Sequence, residues 1–254
     1  MRKLSFVFIL VALCLPPTGC RTDKGSARSS ELDSRNGAPA PEAPQPSAAE
    51  PPAPADPAPA PATSATANAN DPRPLIVCFG DSLTAGFGTE AGQTYPDYLQ
   101  SSLDAQGYHY RVVNQGISGN TTKDGISRLD TILALHPAVI IVEFGGNDGL
   151  RGLPISDSRV NLDKIVSTLK ASGAKIVLAG ITLPPDYGPD YIQQFDATYS
   201  LLAKKYRVPL IPFILQGVFG TPGMMQRDRT HATAAGNKLV AQNILPYIQP
   251  LIKK

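Results

Sequence analysis

The chain has 254 residues, with 23 Lys and Arg against 21 Asp and Glu, for a formal charge of +2. That balance leaves no basic face for nucleic acid, and three cysteines at this length make no disulfide framework. The three histidines are scattered, no helix pairs two of them at i, i+4, and no phosphate-cradling or dinucleotide glycine motif is present, so no metal and no cofactor is expected.

Arg2 and Lys3 precede an apolar run from Leu4 to Leu15, too short to cross a bilayer, and small residues then lead to Gly19-Cys20. Residues 1–20 read as an export signal. Gly19-Cys20 resembles a bacterial lipoprotein cleavage site, in which Cys20 is lipidated and becomes the new N-terminus, although Pro17 stands where Leu is usual. The alternative is an ordinary cleaved secretory signal. Residues 21–74 then turn rich in Pro and Ala, with too little apolar surface to repay the entropy of ordering. They are expected to form a disordered tether, stiffened toward polyproline II and able to reach ~150 Å at about 3.1 Å per residue.

Residues 75–254 suit one domain with one core. Short apolar runs at Leu75–Phe79, Arg111–Asn114, Ala138–Phe144, Lys175–Ile181 and Val208–Ile211 predict strands covered on both faces. Helices are predicted at Tyr95–Leu103, around Leu162, Ile165, Val166 and Leu169 with Gly173 as its cap, at Tyr191–Tyr206 and at Thr233–Ile248. Alternating strands and helices call for an α/β fold with a parallel sheet and helices on both faces. Cys78, inside the first run, is expected to be a buried small hydrophobe.

Ligands in such sheets bind beyond the carboxyl ends of the strands. The first predicted strand runs into Gly80-Asp81-Ser82-Leu83, which places a serine hydroxyl at a strand-to-helix turn. Serine needs a base to become nucleophilic. Of the three histidines, His109 and His136 suit surface or structural roles. His231 follows Asp228 by three residues, a spacing at which the carboxylate can reach back to the imidazole and fix its tautomer. Gly116 and Gly119 after the second strand, and Asn147 within Gly145-Gly146-Asn147-Asp148-Gly149, could supply hydrogen-bond donors to an oxyanion.

Together these four segments resemble the blocks of the GDSL, or SGNH, hydrolase family, which contribute a serine, a glycine, an asparagine and a histidine. Val142-Glu143-Phe144-Gly145-Gly146-Asn147-Asp148-Gly149-Leu150-Arg151-Gly152 is similar to the third block of the bacterial periplasmic thioesterase/lysophospholipase and arylesterase branch. The resemblance implies a three-layer α/β/α sandwich, flavodoxin-like, with a mostly parallel five-stranded sheet. It implies Ser82, Asp228 and His231 as catalytic residues and the Ser82 and Gly119 N–H groups with the Asn147 amide as the oxyanion hole. One departure is Ala232, where the family usually carries Pro after the histidine, which should loosen that turn.

The expected activity is serine-dependent ester hydrolysis through an acyl-enzyme, on aryl or acyl esters, lysolipids or acyl thioesters. Leu150, Leu153, Pro154, Leu183, Pro184 and Tyr187 are expected to wall the acyl pocket. An O-acetylesterase of cell-wall or extracellular polysaccharide stays open, as does a non-catalytic binding lipoprotein, although the absence of Trp weighs against a sugar platform. No obligate protein partner or nucleic acid is expected. The membrane is expected to be reached through the Cys20 anchor at the periplasmic face of the outer membrane, since Arg21 is not the Asp that retains lipoproteins at the inner one. A soluble periplasmic or secreted protein is the alternative.

Overall fold

The computed structural model describes residues 71–254; the expected export signal, Cys20 and the tether as far as residue 70 lie outside the described residues. Residues 71–74, expected as the end of the tether, lie against the start of the second strand. Arg73 pairs with Asp71 at 2.7 Å and donates to the Tyr110 carbonyl at 3.3 Å.

Five strands, β1 (Leu75–Gly80), β2 (Arg111–Gly116), β3 (Val139–Glu143), β4 (Lys175–Ala179) and β5 (Leu210–Ile211), form one parallel sheet in the order β2-β1-β3-β4-β5. The two strands at its centre, β1 and β3, are buried along their whole length, which is why they read as unbroken apolar runs. The edge strand β2 is half-buried throughout, and Cys78 lies in the core as expected.

Eight helices complete the domain: α1 (Ser82–Ala85), α2 (Tyr95–Ala105), α3 (Thr122–Ser127), α4 (Leu129–Leu133), α5 (Gly146–Leu150), α6 (Ile155–Ala171), α7 (Pro189–Tyr206) and α8 (Ala234–Ile248). The predicted long helices are all present, and α6 buries Leu162, Ile165, Val166 and Leu169 on one face. Sequence periodicity passes over α1, α3, α4 and α5, which span only four to six residues and so show no repeat. The box that starts α3, Thr121 with Asp124, was a readable signal. Helices α2 and α8 pack together, and α6 packs against α3, α4 and α7.

The chain passes from β1 to its neighbour β2, then crosses back over β1 to β3. At such a reversal the connections leave on opposite faces of the sheet, and a crevice opens at the strands' carboxyl ends. The turns after β1, β2 and β3 all end there.

Candidate active site

Asp81 caps α1, its carboxylate accepting from the Leu83 N–H at 3.1 Å, and Gly86 closes that short helix in the left-handed conformation. Ser82 is therefore the first residue of a helix, and its own N–H has no acceptor within it. The end of β2 lies so close beneath that a Cβ at Gly116 would run into the backbone of Thr84 and Ala85. Asn114 ties the same two segments together through Thr84 O at 2.9 Å. Gly116 thus serves packing, while Gly119, with φ +81°, lines the crevice.

His231 and Asp228 come from a loop that folds back on itself before α8. Met225 and Ala232 form an antiparallel bridge, flanked by hydrogen bonds from Gln226 N to His231 O at 2.8 Å and from Thr233 N to Met224 O at 2.9 Å. The amide of Gln226 donates to Ala232 O at 2.8 Å and to Phe87 O at 2.7 Å, which fastens the loop to the segment after α1. Sequence reasoning passes over Gln226, since a lone glutamine carries no pattern. The turn is held without proline at Ala232, whose side chain is buried against the domain.

The loop sets His231 Nε2 at 2.9 Å from Ser82 Oγ and His231 Nδ1 at 2.6 Å from Asp228 Oδ2. The second Asp228 oxygen accepts from the backbone N–H groups of Thr230 and His231 at 3.0 and 3.1 Å. Partial burial works against the Asp228 charge, but the bonds from the His231 ring and from these N–H groups prevail and hold its carboxyl below the usual range. The Phe87 ring lies 4.6 Å from the imidazole, centre to centre, and shields one face of it.

Asn147 projects from α5, whose start at Gly145 has φ +119°. Its amide nitrogen donates to Asp81 Oδ2 at 3.1 Å and to Asn120 O at 2.9 Å. Delivery of this amide to an oxyanion requires that it share or release one of those acceptors. The neighbouring Asp148 is buried and accepts from Thr122 N at 2.9 Å and from the Ser158 hydroxyl at 3.1 Å, locking α5 to α3 and α6.

Ser82, Gly119, Asn147 and His231 line one cleft of about 370 Å³. Of the six residues expected to wall the acyl pocket, Leu150, Leu183 and Pro184 line it, whereas Leu153, Pro154 and Tyr187 do not. Tyr187 instead stands behind the wall, its hydroxyl bonded to Leu150 O at 2.8 Å, and Pro154 caps α6. The Leu153 side chain is exposed, and its carbonyl accepts from Tyr191 at 3.3 Å. The rest of the wall, Phe87, Ile181, Phe213, Leu215 and Phe219, comes from segments that no motif marks. Arg151 and Arg229 also border the cleft, and neither is in an ion pair among the described residues.

Comparison with known proteins identifies the family. Residues 78–239 match the model of the GDSL-like lipase/acylhydrolase family. Esterase TesA of Pseudomonas aeruginosa is 42% identical over 178 residues, covering 70% of this chain and 89% of that protein. The thioesterase 1/protease 1/lysophospholipase L1 of Escherichia coli strain K12 is 36% identical over 178 residues, 70% and 84% of the two chains. A crystal structure of TesA superposes with a TM-score of 0.68 at 41% identity, covering 70% of this chain and 99% of that one.

Proposed function

This chain belongs to the GDSL-like lipase/acylhydrolase family and is a carboxylic-ester hydrolase, and on that premise we propose that it works through an acyl-enzyme on Ser82. His231 Nε2 takes the Ser82 proton as Oγ attacks the acyl carbonyl, and Asp228 holds the imidazole in the tautomer that leaves Nε2 able to accept. The Ser82 and Gly119 N–H groups and the Asn147 amide stabilise the tetrahedral oxyanion. His231 then returns its proton to the leaving group and activates the water that releases the acid. The observation that carries this reading is the unbroken relay from Asp228 through His231 to Ser82, opening into an apolar cleft.

The preferred substrate is an ester of a medium or long acyl chain or of an aryl group, including lysolipids and acyl thioesters. The wall of Phe87, Ile181, Leu183, Phe213, Leu215 and Phe219 supports an apolar acyl group over acetyl. Arg151 and Arg229, in no ion pair among the described residues, favour esters that carry an anionic group beyond the scissile bond. The export signal and Cys20 support a lipoprotein whose domain stands off the periplasmic face of the outer membrane on its tether. Palmitate incorporation lost in Cys20→Ser is the expected result for that anchor, and no incorporation by the wild type would leave a soluble exported enzyme.

The decisive experiment is turnover of p-nitrophenyl esters from acetate to palmitate by residues 71–254, beside Ser82→Ala and Asn147→Ala. Ser82→Ala should abolish turnover, and Asn147→Ala should lower it about 10²–10³-fold. Activity confined to acetate would favour the polysaccharide deacetylase, and near-wild-type rates in Asn147→Ala would remove that side chain from the oxyanion hole.

A further inference from the structure

At the carboxyl end of β3 an ionisable side chain ends an apolar strand. Glu143 is 1% exposed and sits in register with Gly80 of β1 and Ala179 of β4, directly below the Ser82 turn. Its Oε2 accepts from the Thr84 hydroxyl at 2.8 Å and from the Asp81 N–H at 3.3 Å. Its Oε1 is buried and receives no donor. No ion pair among the described residues includes it. The Arg128 guanidinium, stacked on Phe79 across the sheet, is spent on Gly80 O, Gln115 O and Asn120 Oδ1. A buried carboxylate with a bare oxygen and no cation is a costly arrangement.

Asp81 stands beside it, 2% exposed. One Asp81 oxygen caps α1 through Leu83, and the other holds the Asn147 amide. Burial first, and then the charge of Asp81, drive Glu143 well above the usual carboxylate range. Burial also pushes Asp81 up, but only to about 6, because Leu83, Glu143, His231 and Asn147 all favour its anion. Two neighbouring carboxyls in a dry site share one proton, and the groups that favour the Asp81 anion put it on Glu143. The other titratable groups facing the pair are Tyr95 of α2, Tyr199 of α7 and His231, with Cys78 of β1 behind Tyr95. Burial pushes Tyr95, Tyr199 and Cys78 up, so none of the three adds charge.

We propose that Glu143 is a positioning residue, its carboxylic acid donating a hydrogen bond from Oε1 to the Asp81 carboxylate and so holding Ser82 and the Asn147 amide in catalytic register. The bare oxygen then has its partner, and Asp81 becomes a fixed strut between the helix that carries the nucleophile and the side chain that meets the oxyanion. Glu143 touches no substrate. It acts through Asp81, and the inference rests on the Ser82 reading above.

The test is kcat and KM for p-nitrophenyl butyrate across pH, for the wild type, Glu143→Gln, Glu143→Leu and Ser82→Ala, with folding checked by circular dichroism. Glu143→Leu removes the donor, so kcat falls about 10–100-fold while KM stays within about twofold, the signature of misaligned groups rather than lost binding. Glu143→Gln keeps a donor in its amide, so kcat recovers to within about threefold of wild type. It also keeps that rate as pH rises, whereas the wild type declines once Glu143 ionises. Wild-type kcat in Glu143→Leu, or a Gln variant as slow as the Leu variant, overturns the role. If Glu143→Leu does not fold, a decline with rising pH in Glu143→Gln equal to that of wild type overturns it. Loss of turnover in Ser82→Ala alongside either result leaves the site reading standing and removes Glu143 alone.

Discussion

Asp228 spends its two carboxylate oxygens on different partners, and that asymmetry makes Asp228→Asn a sharper perturbation than Asp228→Ala. Oδ2 faces His231 Nδ1 at 2.6 Å, while Oδ1 is held by the backbone N–H groups of Thr230 and His231 at 3.0 and 3.1 Å. An Asn side chain has one oxygen, and the two fixed backbone donors claim it. Its amide N–H then faces Nδ1, which must accept, so the ring proton moves to Nε2. Nε2 lies 2.9 Å from Ser82 Oγ and in that tautomer cannot take the serine proton. Asp228→Ala removes the carboxylate but imposes no tautomer, and the site, 40% exposed at the Asp228 side chain, admits water to Nδ1. What Ala loses is attraction for the imidazolium. For charges ~4 Å apart this lies between about 1 kcal/mol in water and about 4 kcal/mol near a protein surface. An intermediate ~2 kcal/mol corresponds to roughly 30-fold in kcat. The Asn variant should fall further, toward ~10³–10⁴-fold. Steady-state kcat of the two folded variants on p-nitrophenyl butyrate decides the matter. An Asn variant as fast as the Ala variant would refute the tautomer argument.

Gln226→Ala should release the loop that carries Asp228 and His231 from Phe87. It should cost about 1–3 kcal/mol in urea unfolding and lower kcat more than it raises KM. Gly116→Ala should destabilise the domain by at least ~2 kcal/mol, because the added methyl meets backbone rather than a movable side chain. Gly119→Ala has open space, with Arg151 Nη2 the one near atom at 3.7 Å, and should cost only the ~1 kcal/mol of a left-handed alanine. Equal losses at the two glycines would contradict the packing described. Glu143, raised in the folded state, contributes stability that is whole below the unfolded value of about 4.3 and declines by about 1.4 kcal/mol per pH unit as pH climbs toward its folded value. Glu143→Gln lacks that decline, so its melting temperature should gain on wild type as pH rises above about 4.3. A constant difference would show that Glu143 does not hold its proton in the folded domain.

Much of this molecule is written locally. The apolar runs at Leu75–Phe79 and Ala138–Phe144 become the buried central strands because a strand covered on both faces has no polar side to show. Ser82, Gly119, Asn147 and the Asp228–His231 pair each sit in a short segment whose turn chemistry is readable, and the structure brings all of them to one crevice. Glu143 also left a trace, a lone charge closing an apolar run, but nothing local says that its partner is Asp81.

The pocket is different. Its wall draws on Phe87, Leu150, Ile181, Phe213 and Phe219, and its central contact joins Ser82 to a histidine 149 residues away. The family resemblance and their apolar side chains assigned Leu153, Pro154 and Tyr187 to the cleft, yet the backbone turns there send them to solvent, to a helix cap and behind the wall. Hydrophobic period and turn residues act within a few positions along the chain, so the sequence by itself determined the strands and the long helices, and its motifs marked the reactive groups. Which side chains share one wall depends on how strands order in the sheet and how distant loops close over it. Only the packed tertiary structure decides that.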